Sequence, residues 1–178
     1  IRNTNFTKNG FLDDSDIAYH DVEVKQFEKR RLEYGDLILE KSGGGPKQPV
    51  GRVIPFEMDE GDFSFSNFTS VIRIKDKAEL DFQFLHRCLL YYYVSGVTET
   101  MQRRSTGIRN LDFKTYKQLQ IPIPEVAEQK RIVSILDEAF GAIDRAKRIA
   151  EINLSNAIEL FDSYLNRVFT EKGEGWEE

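Results

Sequence analysis

The sequence predicts an α+β fold, in which a mixed-sheet domain is followed by one long C-terminal helix. Up to about residue 120, short runs of β-branched and aromatic residues alternate with Gly, Asn, Asp and Ser, a pattern typical of strands and turns. Ile121-Pro-Ile-Pro124 then marks a boundary, because residues before proline are pushed out of helical space. The next 46 residues contain no Pro and a single Gly, Gly141, and their apolar residues recur every three or four positions.

The elements of the first domain follow from local patterns. The candidate strands are Asp36–Lys41, Val50–Phe56, Phe63–Phe65 and Ser70–Lys75. The run Ser42–Pro46 is interpreted as a turn. Asp81 is placed to cap an amphipathic helix that ends near Tyr93. A short second helix through Met101 and a loop at Ser105–Gly107 complete the domain.

The segment from Glu125 to about Thr170 predicts a helix roughly 70 Å long at about 1.5 Å per residue, too long to pack inside a small globule. Its apolar stripe has the spacing of a coiled coil and therefore predicts a partner helix. The alternative is a helical hairpin that folds onto its own sheet domain, broken near Gly141 or Asn153. The expected pairing positions are Ile132, Leu136, Ile143, Leu154, Ile158, Phe161, Leu165 and Val168.

The charge of the chain is unevenly distributed. The net charge of −5 and the isoelectric point near 5.3 argue against a nucleic-acid ligand, because phosphate-binding domains usually carry a basic surplus. However, residues 1–124 hold 18 Lys and Arg against 18 Asp and Glu, whereas residues 125–178 hold 7 against 12. The whole deficit lies in the C-terminal third, and residues 101–124 hold five basic side chains with Asp112 as their single acid.

The sequence lacks the residue patterns that several classes of function require. Cys88 is the single cysteine and is interpreted as a small core residue, while His20 and His86 have no partners at zinc-ligand spacing. No nucleophile motif or dinucleotide-binding glycine pattern is present in the sequence. We therefore expect no catalytic residue, no metal and no cofactor. With no secretion signal or apolar stretch of roughly 20 residues, the sequence favours a cytoplasmic protein outside the membrane.

A glycine run is the first candidate ligand site. Gly43-Gly44-Gly45-Pro46-Lys47 lacks the order of a nucleotide-triphosphate loop. It is either a flexible turn between strands or a loop that approaches a nucleic-acid backbone. In the second case, Lys41, Lys47 and Arg52 are the candidate phosphate partners.

The second candidate is Arg103-Arg104-Ser105-Thr106-Gly107-Ile108-Arg109-Asn110. Guanidinium, hydroxyl and amide groups can bind phosphates or read base edges, with Arg favouring guanine and Asn favouring adenine. The alternative is a helix end with a solvated loop, in which Gly107 closes the turn.

The junction between the sheet domain and the long helix has the sequence Leu111-Asp-Phe-Lys-Thr-Tyr-Lys-Gln-Leu-Gln-Ile-Pro-Ile-Pro-Glu-Val-Ala-Glu-Gln-Lys-Arg-Ile-Val-Ser-Ile-Leu-Asp137, notably Ile-Pro-x-Pro followed by Glu-Gln-Lys-Arg-Ile. This junction resembles that of the specificity (S) subunit of type I restriction-modification systems. Gly35-Asp-Leu-Ile-Leu-Glu-Lys-Ser-Gly-Gly44 is similar to the family's Gly-Asp strand and glycine turn.

The resemblance implies a sequence-specific DNA-recognition subunit rather than an enzyme. Residues 1–124 would form the target-recognition domain and residues 125–170 a helix that serves as spacer, dimerisation element and docking surface for adenine methyltransferase (M) subunits. A restriction and motor (R) subunit would join this complex on a bipartite double-stranded DNA target. The implied DNA contacts are Lys41, Ser42, Gly43, Gly44, Lys47, Arg52, Arg103, Arg104, Ser105, Thr106, Gly107, Arg109 and Asn110.

The chain also departs from a complete subunit of that family. It begins at a point that resembles the interior of a recognition domain, so we expect an N-terminal piece to be missing. Residues 171–178 are expected to be a linker or the start of a second recognition domain. We expect two copies to pair through the long helix as an antiparallel dimer. A homodimeric helical adaptor whose sheet domain binds protein rather than DNA is the alternative function.

Overall fold

The computed structural model describes residues 1–45, 48–105 and 108–171, with the backbone alone for Arg104 and Ser105. The chain divides into two compact units, residues 1–133 and 134–178. Two 3-10 helices, Asn3–Asn5 and Val97–Met101, accompany the regular elements. These are α1 (Val24–Glu28), β1 (Leu37–Glu40), β2 (Ser42–Gly44), β3 (Val53–Pro55), β4 (Thr69–Ile72), α2 (Phe82–Val94), β5 (Gln102–Ser105), β6 (Ile108–Leu111), α3 (Phe113–Tyr116) and α4 (Val126–Thr170).

The predicted α+β class is confirmed, with short strands before one long helix. The strands form two three-stranded sheets, of order β3-β1-β4 and β2-β6-β5. All strand pairs in the described residues are antiparallel, so the expectation of a mixed sheet is wrong. Side chains alternate between the two faces of a strand in both kinds of pair, so the sequence pattern does not reveal the direction of pairing.

Strand β1 is the centre of the core and is buried on both faces. Successive side chains of a strand point to opposite faces. Leu37 and Leu39 accordingly pack into a cluster with Leu85 and Leu89 of α2, whereas Ile38 packs into a second cluster that includes Phe6 and Phe56. This double burial explains the continuous apolar run in the predicted strand Asp36–Lys41.

Local signals located α2 correctly. The Asp81 carboxylate accepts a hydrogen bond from the Phe84 N–H at 2.9 Å and caps the helix, and Gly96 follows its C-terminus with a left-handed φ of 80°. The segment Phe63–Phe65, in contrast, is not a strand, and its pairing is limited to an isolated bridge between Ser64 and Arg31. A three-residue apolar pattern is too short to specify a pairing partner.

Helix α4 begins two residues after Pro124, as the proline spacing predicts, and runs unbroken from Val126 to Thr170. The hairpin alternative, with a break near Gly141 or Asn153, is therefore wrong. The start of α4 belongs to the first unit, where Gln129 and Val133 are buried. Within the described residues, no helix combines the length and the apolar character needed to cross a membrane.

Candidate nucleic-acid interface

The two candidate segments of the sequence meet in one sheet. Strand β2 pairs with β6 through Ser42 and Asn110 and through Gly44 and Arg109, with a register shift between the two pairs. Strand β6 also pairs with β5, where Arg103 lies opposite Asn110. Ser42–Gly44 is therefore a strand rather than a turn, and the basic segment is a pair of strands rather than a helix end.

Glycine is required in β2 by close packing. A Cβ atom on Gly44 would lie 2.7 Å from the carbonyl oxygen of Gln48, which is far below van der Waals contact. Gly43 has a φ of +96°, a conformation that L-residues with side chains rarely adopt. Gly45, by comparison, has no neighbouring atom within 4 Å of such a Cβ. The glycine run thus brings β2 close against the segment that leads into β3.

Three polar side chains share one face of the β2-β6-β5 sheet, because residues directly opposite each other in antiparallel strands point to the same side. These are Ser42, Asn110 and Arg103. The Ser42 hydroxyl donates a hydrogen bond to Asn110 Oδ1 at 2.6 Å. Ile108, two residues before Asn110, is 50% exposed on the same strand.

Arg103 is held by a carboxylate that sequence reasoning did not assign to the site. Its Nη2 donates to Asp112 Oδ2 at 2.8 Å, while Asp112 Oδ1 accepts from the backbone N–H of Lys114 at 3.0 Å and caps α3. The hydrogen bond from Arg103 lowers the pKa of Asp112 below its ordinary value. The available signal was the position of Asp112 as the lone acid of a basic segment.

The remaining arginines of the basic segment are placed differently. Arg109 neighbours Asn110 along β6 and therefore belongs to the opposite face, where it is partly buried. The backbone of Arg104 lies opposite Arg109. Of the other predicted contacts, Lys47, Thr106 and Gly107 lie outside the described residues, as do the side chains of Arg104 and Ser105.

Arg52 is an interior residue, 7% exposed. Its Nε and Nη2 bind the two carboxylate oxygens of Glu40 at 2.8 and 3.0 Å, and its Nη1 donates to the carbonyl oxygen of Phe6 at 2.9 Å. A guanidinium with these partners has no free edge for a phosphate. Its burial argues against the predicted DNA contact, and we leave Arg52 out of the proposed interface. Lys41 is partly buried beside β2.

Phe68 is a neighbour of the glycine strand that sequence reasoning missed. Its carbonyl oxygen accepts hydrogen bonds from the N–H groups of Lys41 and Ser42, and its ring lies against Gly43. The side chain is nevertheless 49% exposed. No local sequence signal marks Phe68, because its exposure depends on which strand it packs beside.

Among the described residues, no group of three or more His, Cys, Asp or Glu is arranged to hold a metal ion. His86 is buried, with Nε2 3.2 Å from the carbonyl oxygen of Val53. Cys88 is partly buried, and burial raises the pKa of its thiol.

The predicted stripe on α4 presents a series of apolar side chains to solvent in the single chain. Two of its members, Ile132 and Leu136, are partly buried. The other six are between 45% and 65% exposed: Ile143, Leu154, Ile158, Phe161, Leu165 and Val168. Their pairing with a second helix stays a prediction.

Two comparisons with known proteins both find similarity to type I restriction specificity proteins. The sequence model of a family described as type I restriction modification DNA specificity domain matches residues 2–154, most of the chain. A curated relative, the putative type I restriction enzyme MjaX specificity subunit of Methanocaldococcus jannaschii, is 22% identical over 165 residues. The match covers 90% of this chain and 38% of that protein, so the chain spans well under half the length of this relative.

Proposed function

Because the chain belongs to the family of type I restriction modification DNA specificity domains, we propose that its first unit recognises double-stranded DNA by sequence. The proposed interface is the face of the β2-β6-β5 sheet that carries Ser42, Arg103 and Asn110. One observation carries the proposal: antiparallel pairing joins the glycine strand to the basic strands, about 60 residues later in the chain.

Two neighbouring strands of this three-stranded sheet have a form that fits a DNA groove. The major groove of B-DNA admits a two-stranded β-ribbon, and β5 (Gln102–Ser105) pairs antiparallel with β6 (Ile108–Leu111). The hydroxyl, guanidinium and amide groups on the polar face of the sheet are those that bind base edges. We propose phosphate and sugar contacts by Lys41, Lys47, Ser105, Thr106 and Gly107. Arg109 belongs to the opposite face of the sheet and is left out, together with Arg104, whose backbone pairs with it.

The charge distribution is compatible with this role. The acidic surplus lies wholly after residue 124, and residues 101–124 carry five basic side chains against one acid. Because interactions between exposed charges are largely screened beyond about 10 Å at 0.1 M salt, the net charge of the whole chain does not set the electrostatic attraction at the interface.

Helix α4 is the proposed spacer and docking element, and we retain the domain division at residues 124 and 125 with 171–178 as a linker. Its 45 residues correspond to about 68 Å, or roughly two turns of DNA. Two copies would pair their exposed stripes as an antiparallel coiled coil, and this dimer would present two recognition units to the halves of a bipartite target. The face of α4 outside the stripe would bind methyltransferase subunits, and a restriction subunit would join them.

In this assembly the catalysis belongs to the partners. The proposed role of the chain is to position methyltransferase and restriction subunits on DNA without reacting groups of its own. The support comes from the family, which is described as a DNA specificity domain.

Dimerisation is tested by replacing Ile158 and Leu165 together with Asp. These side chains are 55% and 47% exposed in the single chain, and a buried charge in a helical pair would dissociate it. Sedimentation equilibrium at micromolar concentration is expected to give a dimer for the parent chain and a monomer for the variant. Asn156→Asp together with Asn166→Asp is the matched control, because it adds the same two charges at exposed positions outside the stripe. A monomeric parent chain contradicts the pairing.

DNA recognition is tested on the chain assembled with methyltransferase subunits and a pool of random-sequence duplexes. Sequencing of the bound duplexes is expected to reveal an enriched split motif, and binding should weaken with rising salt as counterions are released. A complex that forms with the methyltransferase subunits but enriches no sequence would favour the protein-binding adaptor instead.

A further inference from the structure

We infer that Asp112 and Ser42 are positioning residues of a two-base reader, in which Asp112 orients Arg103 toward guanine and Ser42 orients Asn110 toward adenine. The inference rests on the proposed function of the sheet and adds to it the residues that set specificity. Each proposed reader has a partner that fixes its side chain.

Arg103 is better suited to a base edge than to a phosphate. Its side chain is 69% exposed, and Asp112 holds it from one side at 2.8 Å. Asp112 is itself fixed, because its second oxygen caps α3. The carboxylate repels a phosphate that approaches the same guanidinium, whereas the guanine edge is neutral and offers two acceptors, O6 and N7. A guanidinium has five N–H donors, so one bond to Asp112 leaves enough for a bidentate contact.

Asn110 retains the donors and acceptors that match adenine. An amide oxygen has two lone pairs, and the Ser42 hydroxyl occupies one of those on Oδ1 at 2.6 Å. The second lone pair can accept from adenine N6, and the Nδ2 group can donate to adenine N7. Without Ser42 the amide loses this anchor. Ser42 therefore holds the Asn110 side chain in place, with the orientation seen in the structure matching adenine.

The two readers are spaced for neighbouring base pairs. Arg103 and Asn110 are directly opposite in the β5–β6 register. Side chains in this relation have Cβ atoms about 4.5–5.5 Å apart. Base pairs rise by about 3.4 Å, so side chains that converge slightly toward the groove reach adjacent steps.

The test is selection from random duplexes by the chain assembled with methyltransferase subunits, compared between variants. Arg103→Lys keeps the positive charge but removes the paired N–H donors of the guanidinium. It should lower the preference for one guanine by roughly 5- to 150-fold, while the salt dependence of binding stays unchanged. Asn110→Ala should have the same effect on a neighbouring adenine. Lys117→Ala, on an exposed residue outside the interface, should leave every base preference intact.

The positioning residues need their own variants. Asp112→Asn keeps a side chain that can cap α3. It should weaken the preference for the same guanine and raise the affinity for unselected DNA by up to about fivefold. Ser42→Ala should weaken the preference for the same adenine as Asn110→Ala does, and Ser42→Thr should restore that preference. Circular dichroism confirms that the compared proteins are folded, a property that these small polar exchanges leave intact.

The possible outcomes distinguish a failure of the two-base reader from a failure of the proposed DNA recognition. A parent complex that enriches a motif with no adjacent guanine and adenine, or a motif indifferent to these variants, overturns the two-base reader while DNA recognition stands. A parent complex that enriches no sequence contradicts the proposed function, and the reader falls with it. Matched relaxation by Arg103→Lys and Asp112→Asn, and by Asn110→Ala and Ser42→Ala, supports the inference.

Discussion

Gln129 ties the start of helix α4 into the first unit, and its removal provides a direct measure of that connection. The side chain is fully buried and makes three hydrogen bonds to the backbone. Its Oε1 accepts from the N–H of Asp81 at 2.9 Å, and its Nε2 donates to the carbonyl oxygens of Glu79 and Pro124, each at 2.8 Å. Gln129→Met keeps the chain length and the helix propensity but removes all three bonds.

The expected cost follows from the groups left without partners. One N–H and two carbonyl groups lose their hydrogen bonds in a partly buried region, where each loss costs about 1 kcal/mol, the lower end of the range for buried groups. We therefore expect Gln129→Met to lower the free energy of unfolding by about 3 kcal/mol. A cavity makes little contribution, because Met fills nearly the same volume as Gln.

Urea unfolding of the full chain, followed by the near-ultraviolet circular dichroism of buried aromatic residues such as Tyr116, measures this change at one fixed protein concentration. Lys130→Met is the matched control, since it introduces the same side chain at the next, exposed position of the helix. The control should change stability by less than about 0.5 kcal/mol. If Gln129→Met unfolds at the same midpoint as Lys130→Met, the three bonds do not hold the helix start.

Two other contacts of the first unit give comparable predictions. Gly44→Ala places a Cβ 2.7 Å from a backbone carbonyl oxygen and should lower the free energy of unfolding by about 1–3 kcal/mol in thermal unfolding. Gly45→Ala, whose Cβ would have no atom within 4 Å, should be nearly neutral. Equal melting temperatures of the two variants would contradict the close packing of Gly44. Glu40→Ala leaves the Arg52 guanidinium buried without its carboxylate and should cost about 3–5 kcal/mol in urea unfolding. The double variant Glu40→Leu with Arg52→Met should recover most of that loss, and a Glu40→Ala protein as stable as the parent would argue against the buried pair.

Helices α2 and α4 and the central strand could be predicted because their signals are local. A capping carboxylate at Asp81, the proline pair before α4 and the run of large aliphatic residues in β1 each act within a few residues of the element they define. The structure places α2 and α4 within a residue of their predicted starts. The exposed stripe of α4 likewise follows from a repeat that is visible in the sequence.

The partners of the glycine strand could not be predicted in the same way. Gly43 and Gly44 have low strand propensity, and the pairing of β2 with β6 joins residues 68 positions apart, such as Ser42 and Asn110. The same limit hid the role of Arg52. Its sequence neighbours suggest a surface cation, but the register of β1 and β3 sets it beside Glu40 in the interior.

For the candidate site, too, the residue types could be predicted from the sequence but their arrangement could not. Residue types in the sequence single out Ser42, Arg103 and Asn110, because hydroxyl, guanidinium and amide groups are those that bind nucleic acid. Their arrangement on one face depends on strand register, and so does the contact that brings Asp112 to Arg103.

The sequence by itself therefore determined the α+β class, the position of the long helix and the separation of an acidic segment from a charge-balanced one. Those properties depend on composition, periodicity and capping, which operate over short distances along the chain. Tertiary structure decided which strands pair, which arginine is buried against a carboxylate and which polar groups meet on the exposed face of β2-β6-β5. Such choices depend on long-range pairing, where a shift of one residue turns every side chain of a strand to the opposite face.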